Sequence, residues 1–214
     1  MQSNILFHFF MLPITDTIIF TWVIMAFLVI SSIVLTRNLR HVPSRAQHII
    51  ELAVDGIESL VITDLGQRGK VFVPLILAIA LFVLTANLIG VLPGAVSPTA
   101  DLNTTTALAL IVLIVAHGAE IRVKGFANYI KGYFSPFWWM APLNIIGEIA
   151  KVVSHAFRLY GNILGGGIIL SILYMFLPYV IPVPLIGWFG VFMGLIQTAV
   201  FTLLAVAYIQ VRLD

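Results

Sequence analysis

Apolar residues run along this chain in long blocks, with the polar residues gathered into short clusters between them. Blocks at 14–36, 71–92, 102–121, 142–175 and 185–211 are each long enough to cross a hydrocarbon layer as a helix, which takes about 20 residues. The first 13 residues are apolar but interrupted by His8 and Pro13, and a short surface segment is expected there. The stretch 44–62 differs from the blocks. Ile49, Ala53, Ile57, Leu60 and Val61 share it with Glu51, Asp55 and Glu58 on a helical period, which predicts an amphipathic helix lying along the membrane interface. Pro43 and Ser44, followed by Gln47, have the form of a capping box opening that helix. Residues 125–136 read as a loop or short helix, and Phe137, Trp138 and Trp139 as an aromatic anchor at the interface.

The last two blocks are too long to stand upright. At 1.5 Å per residue they would measure about 50 Å and about 40 Å, against a hydrocarbon core of about 30 Å. Both are expected to be strongly inclined. The glycines at 165–167 offer a bend in the first, and Pro178, Pro182 and Pro184 a turn between the two.

Charge orients the blocks. Arg37, Arg40, His41 and Arg45, then Arg68 and Lys70, then Arg122, Lys124 and Lys131, and finally Arg212 all fall on one side of the predicted crossings, while 93–101 carries no basic residue. Positive residues mark the cytoplasmic side, so the N-terminus is expected outside and the C-terminus inside. Composition agrees: 61% of residues are hydrophobic and 9% charged, with a net charge of +2. The chain reads as one membrane-embedded, all-α polytopic domain over 1–214, with about five crossings and one interfacial helix. Membrane lipids are its expected surroundings, and no nucleic-acid partner is expected. Cysteine is absent, which excludes disulfides, thiolate metal sites and cysteine nucleophiles. The first ten residues lack the basic start and small-residue cleavage site of a signal peptide, so the first block is expected to remain in the membrane.

Chemistry is concentrated in the fourth block. Glu148, Lys151, His155, Arg158, Asn162 and Gly165 recur at steps of three or four, which predicts one polar face on an otherwise apolar helix. Arginine stays charged even in lipid, and an intramembrane charge is costly enough to be a functional candidate by default. Glu148 lies ten residues from Arg158, about 15 Å along the axis, too far to pair with it. Asn162 can orient the guanidinium, hold a water or bond a neighbouring helix. Gly161 and Gly165, and on the last block Gly187, Gly190 and Gly194, have the small-residue spacing that lets helices approach closely, within the chain or against a foreign helix. Gln197 is a cross-helix bonding group or a path residue. Asp101, Asn103 and the threonines beside them form a polar mouth, in which Asp101 can also cap the following helix. His117 and Glu120 stand three apart at the other end of that helix. No histidine pairing suits haem, and no metal site is expected. These residues group into two partial paths: one from outside through Asp101, Asn103, Asn87 and Gln197, and one from inside through Glu120, His117, Glu148, Lys151 and His155. Arg158 sits between them.

The segment Ser154-His155-Ala156-Phe157-Arg158-Leu159-Tyr160-Gly161-Asn162 resembles the arginine-bearing signature of the subunit a family of rotary F-type ATP synthases. The stretches Pro142-Leu143-Asn144-Ile145-Ile146-Gly147-Glu148-Ile149, Thr85-Ala86-Asn87-Leu88-Ile89-Gly90-Val91-Leu92-Pro93-Gly94 and Pro98-Thr99-Ala100-Asp101-Leu102-Asn103 fit as well, and Gln197 matches in place on the last helix. The resemblance covers nearly the whole chain in order. It implies a stator of the F0 sector working against a ring of c subunits. In that assembly Arg158 faces the ring carboxylates, with Gly161, Gly165, Gly190 and Gly194 on the ring-facing surface. Arg158, Asn162, Gln197, Glu148, His155, Asp101, Asn103, His117 and Glu120 would serve two offset half-channels. Partners implied are the c-ring, the peripheral-stalk b subunits and the whole F1F0 complex. No catalytic residue and no cofactor belong to this subunit, because the ATP chemistry lies on F1. The cation is expected to be H⁺ rather than Na⁺, and the setting a bacterial inner membrane rather than an organellar one.

One familiar version of the family has a glutamate nine residues after the arginine and a histidine seven before the glutamine. Here those positions are Gly167 and Gly190, so the outer half-channel needs other groups, for which Asp101, Asn103 and Gln197 are the candidates. Two rival readings belong to other classes. A self-contained secondary transporter would call for an inverted repeat, and none is evident. A haem-bearing anchor would call for paired histidines at matching depth.

Overall fold

The computed structural model describes residues 5–9, 12–37, 45–92, 95–134, 137–176 and 182–213. The expected all-helical architecture is present, with five stretches long and apolar enough to cross a membrane: Asp16–Thr36, Gln47–Ile89, Leu102–Lys124, Trp138–Leu173 and Ile186–Leu213. One local addition precedes them. Ile5–Phe9 and Leu12–Thr15 pair as an antiparallel hairpin where a plain surface segment is expected from the sequence.

Helix α1 (Asp16–Thr36) is apolar on every side. Trp22, Phe27, Ile30 and Val34 are exposed, and only Thr17 and Ile24 are buried. That is the pattern of a helix solvated by lipid. Helix α2 (Arg45–Leu65) follows. Its proposed capping serine, Ser44, lies outside the described residues, as do Arg40 and His41; Gln47 bonds the Glu51 carboxylate at 2.8 Å. The helix ends where Gly66 takes φ +66°, a conformation open to glycine without a Cβ penalty. A 3₁₀ segment, Gly66–Phe72, leads into α3 (Val73–Ile89), with Pro74 in its first turn, where the missing N–H costs nothing.

Helix α4 (Leu102–Lys124) is capped by Asp101 and stopped by Gly125 at φ +79°. Helix α5 (Phe126–Tyr133) is short. Helix α6 (Ala141–Phe176) runs for 36 residues, about 54 Å. Its helical assignment continues through glycines 165–167, where the sequence offered a bend. The last block is divided instead: α7 (Pro182–Leu185), a π-helical segment Ile186–Phe192, and α8 (Met193–Leu213).

The core lies among α3, α4, α6 and α8, where Ile79, Val83, Leu108, Val112, Leu159, Phe201 and Ala205 pack together. A second cluster, Ile76, Ala116, Val206 and Ile209, takes in Val61 of α2. The inner side of the amphipathic helix is thus part of the bundle. Since α4 runs away from Asp101 while α8 runs toward Arg212, the bundle has an Asp101 end and a basic end.

Candidate functional site

The polar stripe of α6 divides in two. Residues 148, 155 and 162 repeat every seven positions along one row. Residues 151, 158 and 165 repeat along another, rotated by about 60° because a step of three falls short of a full turn. At the middle of the helix the structure sets the two rows apart, while their ends are all half-buried. His155 is 2% exposed; Arg158 is exposed, among Val153, Ser154, Phe157, Gly161 and Ile168. Leu159 and Ala156, on the opposite side, are buried. Among the described residues no carboxylate lies within ion-pair distance of Arg158.

At the basic end three helices meet through charge. Arg212 of α8 bonds Glu120 of α4 at 2.9 Å and also Glu148 of α6. Lys151 holds the same Glu148 at 2.8 Å, and Lys124 approaches Glu120 at 3.9 Å. His117 Nε2 stands 3.7 Å from Glu148 and 3.0 Å from the Tyr133 hydroxyl. The expected grouping of Glu120, His117, Glu148 and Lys151 is therefore real in space. His155 does not join it. Its ring lies 3.9 Å from the ring of Phe201 and 5.5 Å from that of Tyr208, and among the described residues neither ring nitrogen has a hydrogen-bond partner. Arg212 and the α5 tyrosines were not legible as members: the arginine read as a terminal interface charge, and α5 as a connector.

Near the Asp101 end a cavity of about 780 Å³ opens among α1, α3, α4, α6 and the π segment. Asp16, Asp101, Asn87, Tyr160 and Asn162 line it. Asp101 does two things: Oδ1 accepts the Asn103 N–H at 2.9 Å, capping α4, and Oδ2 accepts the Thr17 hydroxyl at 2.9 Å. Asn87 is buried. It accepts from Thr99 at 2.9 Å and donates to the Gly194 carbonyl at 3.2 Å, joining α3 to α8. Asn103 is exposed and Gln197 buried, and neither lines the cavity. Asp16 and Tyr160 are polar lining residues not singled out from the sequence: each stands in an apolar block, with no local pattern to mark it.

Gly167 and Gly190 line this same cavity. So the two positions that lack a glutamate and a histidine open on the space where Asp16 and Asp101 supply carboxylates. A Cβ on Gly190 would fall 2.5 Å from Val91 Cγ2, and one on Gly194 3.3 Å from Asn87 Cβ. Gly194 therefore packs on α3 and Gly190 on the turn that follows it, the within-chain alternative of the sequence reading. Gly161 and Gly165 have nothing within 4 Å of a built Cβ and belong to the open side.

A family model described as ATP synthase A chain matches residues 18–210. A protein of Geobacter sulfurreducens is 41% identical over 203 residues, covering 93% of this chain and 88% of its own length. A protein of Trichlorobacter lovleyi is 38% identical over 203 residues, covering 93% and 87%. One of Moorella thermoacetica is 37% identical over 204 residues, covering 95% and 93%. Each of the three is named ATP synthase subunit a. The chain belongs to the ATP synthase A chain family.

Proposed function

We propose that this chain is the stator subunit a of the F0 sector in a rotary ATP synthase, seated in a bacterial inner membrane with its basic end toward the cytoplasm. In this reading it carries H⁺ between two offset half-channels and a ring of c subunits. The observation that carries the reading is Arg158: a permanent cation on the open, apolar side of α6, with no counter-ion of its own among the described residues.

Such a charge is costly in lipid, and in this reading its partner is a carboxylate on the ring. A carboxylate brought to about 4 Å would gain on the order of 4 kcal/mol at an effective dielectric near 20. That favours the ionised carboxylate opposite Arg158 and lets protonated sites turn into lipid elsewhere. The cavity at the Asp101 end would load protons onto the ring, and the charged cluster at the basic end would take them off. Along α6, Asn162 of the cavity and Glu148 of the cluster are separated by about 21 Å, with Arg158 between them as the barrier to direct leakage. Each charge crossing 100 mV releases about 2.3 kcal/mol, which the ring turns into rotation. Peripheral-stalk b subunits complete the assembly.

Arg158→Ala is expected to abolish ATP-driven proton pumping in membrane vesicles while the complex still assembles. Arg158→Lys should keep only a small part of it, because a point charge replaces the planar fork. Wild-type pumping by the alanine variant would refute the reading.

A further inference from the structure

Glu148 has a neighbour that the ion pairs do not account for. His117 Nδ1 lies 2.8 Å from the Leu113 carbonyl oxygen. A carbonyl can only accept, so Nδ1 carries the hydrogen, and in the neutral ring Nε2 is a bare lone pair. The Tyr133 hydroxyl, 3.0 Å away, must therefore donate to Nε2. Its oxygen is then left to accept from the Tyr129 hydroxyl at 3.2 Å. The same Nε2 is 3.7 Å from Glu148 Oε2. A directed hydrogen-bonded chain thus runs from α5 to His117 of α4, and its last nitrogen stands 3.7 Å from the carboxylate on α6, close enough to deliver a proton once Nε2 carries one.

We propose that Tyr129, Tyr133 and His117 form the proton relay between Glu148 and the surface at the basic end. The proposal rests on the ion-translocating function given above. In the uptake direction Nε2 takes the Tyr133 proton, Tyr133 takes the Tyr129 proton, and Tyr129 is reprotonated from water. His117 then gives its Nε2 proton to Glu148. One proton moves from water to the carboxylate, and each relay group ends as it began. In the synthesis direction the order reverses.

The surroundings suit this role. Burial, with the hydrogen bond to Tyr133, pushes the Tyr129 phenol up, so the relay starts from O–H groups at neutral pH. Charged and titratable groups facing it are Glu120 and Lys124 from α4, Glu148 and Lys151 from α6, and Arg212 from α8, whose guanidinium lies 5.7 Å over the Tyr133 ring. The rings themselves are fixed by other contacts. Tyr129 packs edge-on against Tyr133 at 5.3 Å and His117 at 5.9 Å, and Asn144 donates to the Tyr133 carbonyl at 2.8 Å. Phenylalanine at 133 or 129 keeps every one of these and removes only the hydroxyl.

The test uses the whole ATP synthase in membrane vesicles. ATP-driven pumping is followed by dye quenching from about pH 6 to about pH 9, a range chosen to span histidine titration, with assembly checked by native gel. Tyr133→Phe is expected to pump about fivefold more slowly, the scale of one lost hydrogen bond in the transfer path. Its rate should fall off more steeply toward high pH than that of the parent. Tyr129→Phe should show the same trend more weakly, and it decides the matter if Tyr133→Phe fails to assemble. Parental rates at every pH in the assembled variants would overturn the relay, as would pumping that follows Na⁺ and ignores pH. Arg158→Ala runs alongside. If it is dead while the phenylalanine variants match the parent, only the relay falls; if it too pumps normally, the function assigned to the chain falls.

Discussion

His155 and Arg158 stand three positions apart on α6 and meet opposite surroundings. Arg158 is on the open side; His155 is enclosed by Phe201 and Tyr208, with neither ring nitrogen partnered among the described residues. A buried polar group without a hydrogen bond is destabilising, and nothing at the basic end reaches this ring. His155→Leu is therefore expected to raise the thermal stability of the complex by roughly 1 kcal/mol and to leave ATP-driven pumping within about twofold of the parent, the usual scatter of a packing change. Loss of pumping in an assembled variant would return His155 to the ion path. The polar stripe was readable in the sequence because its residues recur every three or four positions. Its division was not, since two rows about 60° apart look like one face until a neighbouring helix covers half of it. Asp101 shows the opposite case. Its capping role follows from residue type and position, and its Oδ1 does cap α4, while the second bond, to Thr17, joins residues too distant in sequence for any local pattern to reveal.

Among the elements, the last block departs most from its sequence pattern. Its apolar run predicts one continuous helix, and it contains instead the π-helical segment Ile186–Phe192. Nothing in hydrophobic periodicity distinguishes an i→i+5 turn from an i→i+4 turn over seven residues. The segment is closely packed: Phe189 Cβ comes within 3.4 Å of a Cβ built on Gly166, Gly190 fits against Val91, and Trp188 stacks on Phe192 at 4.5 Å. The far end of α8 is held differently, by Arg212 to carboxylates on α4 and α6. Removing one partner of a fully buried ion pair leaves the others uncompensated, at a cost of about 3–5 kcal/mol; with the Arg212 side chain 15% and that of Glu148 16% exposed, the cost here falls somewhat below that. Arg212→Gln is thus expected to lower the thermal stability of the complex markedly, with Arg212→Lys intermediate because it cannot serve two carboxylates as a planar fork. An unchanged melting profile for the glutamine variant would show that apolar packing alone fixes the end of α8. The other helices were legible nearly to their ends, because proline, glycine and charge punctuate long apolar runs.

At the scale of the molecule, two polar regions lie toward opposite ends of one bundle and Arg158 faces away from its core, so on the proposed function the ion path needs another subunit to complete it. The cavity at the Asp101 end draws on five elements, and each contributes a residue or two that means little alone. Its two carboxylates, Asp16 and Asp101, stand where Gly167 and Gly190 supply none. A charge-only test is available there. Asn is as good a helix cap as Asp: its Oδ1 can accept the Asn103 N–H while its amide NH2 donates to the Thr17 hydroxyl, so Asp101→Asn keeps both contacts and removes the charge. If the cavity loads the ring, Asp101→Asn should slow ATP-driven pumping several-fold, and adding Asp16→Asn should bring the loss to about tenfold or more, with the two effects coupled because the groups share one space. Vesicles carrying the assembled double variant are the measurement. Parental pumping there would remove the cavity from the path and leave the ring to be loaded along some other face of α6.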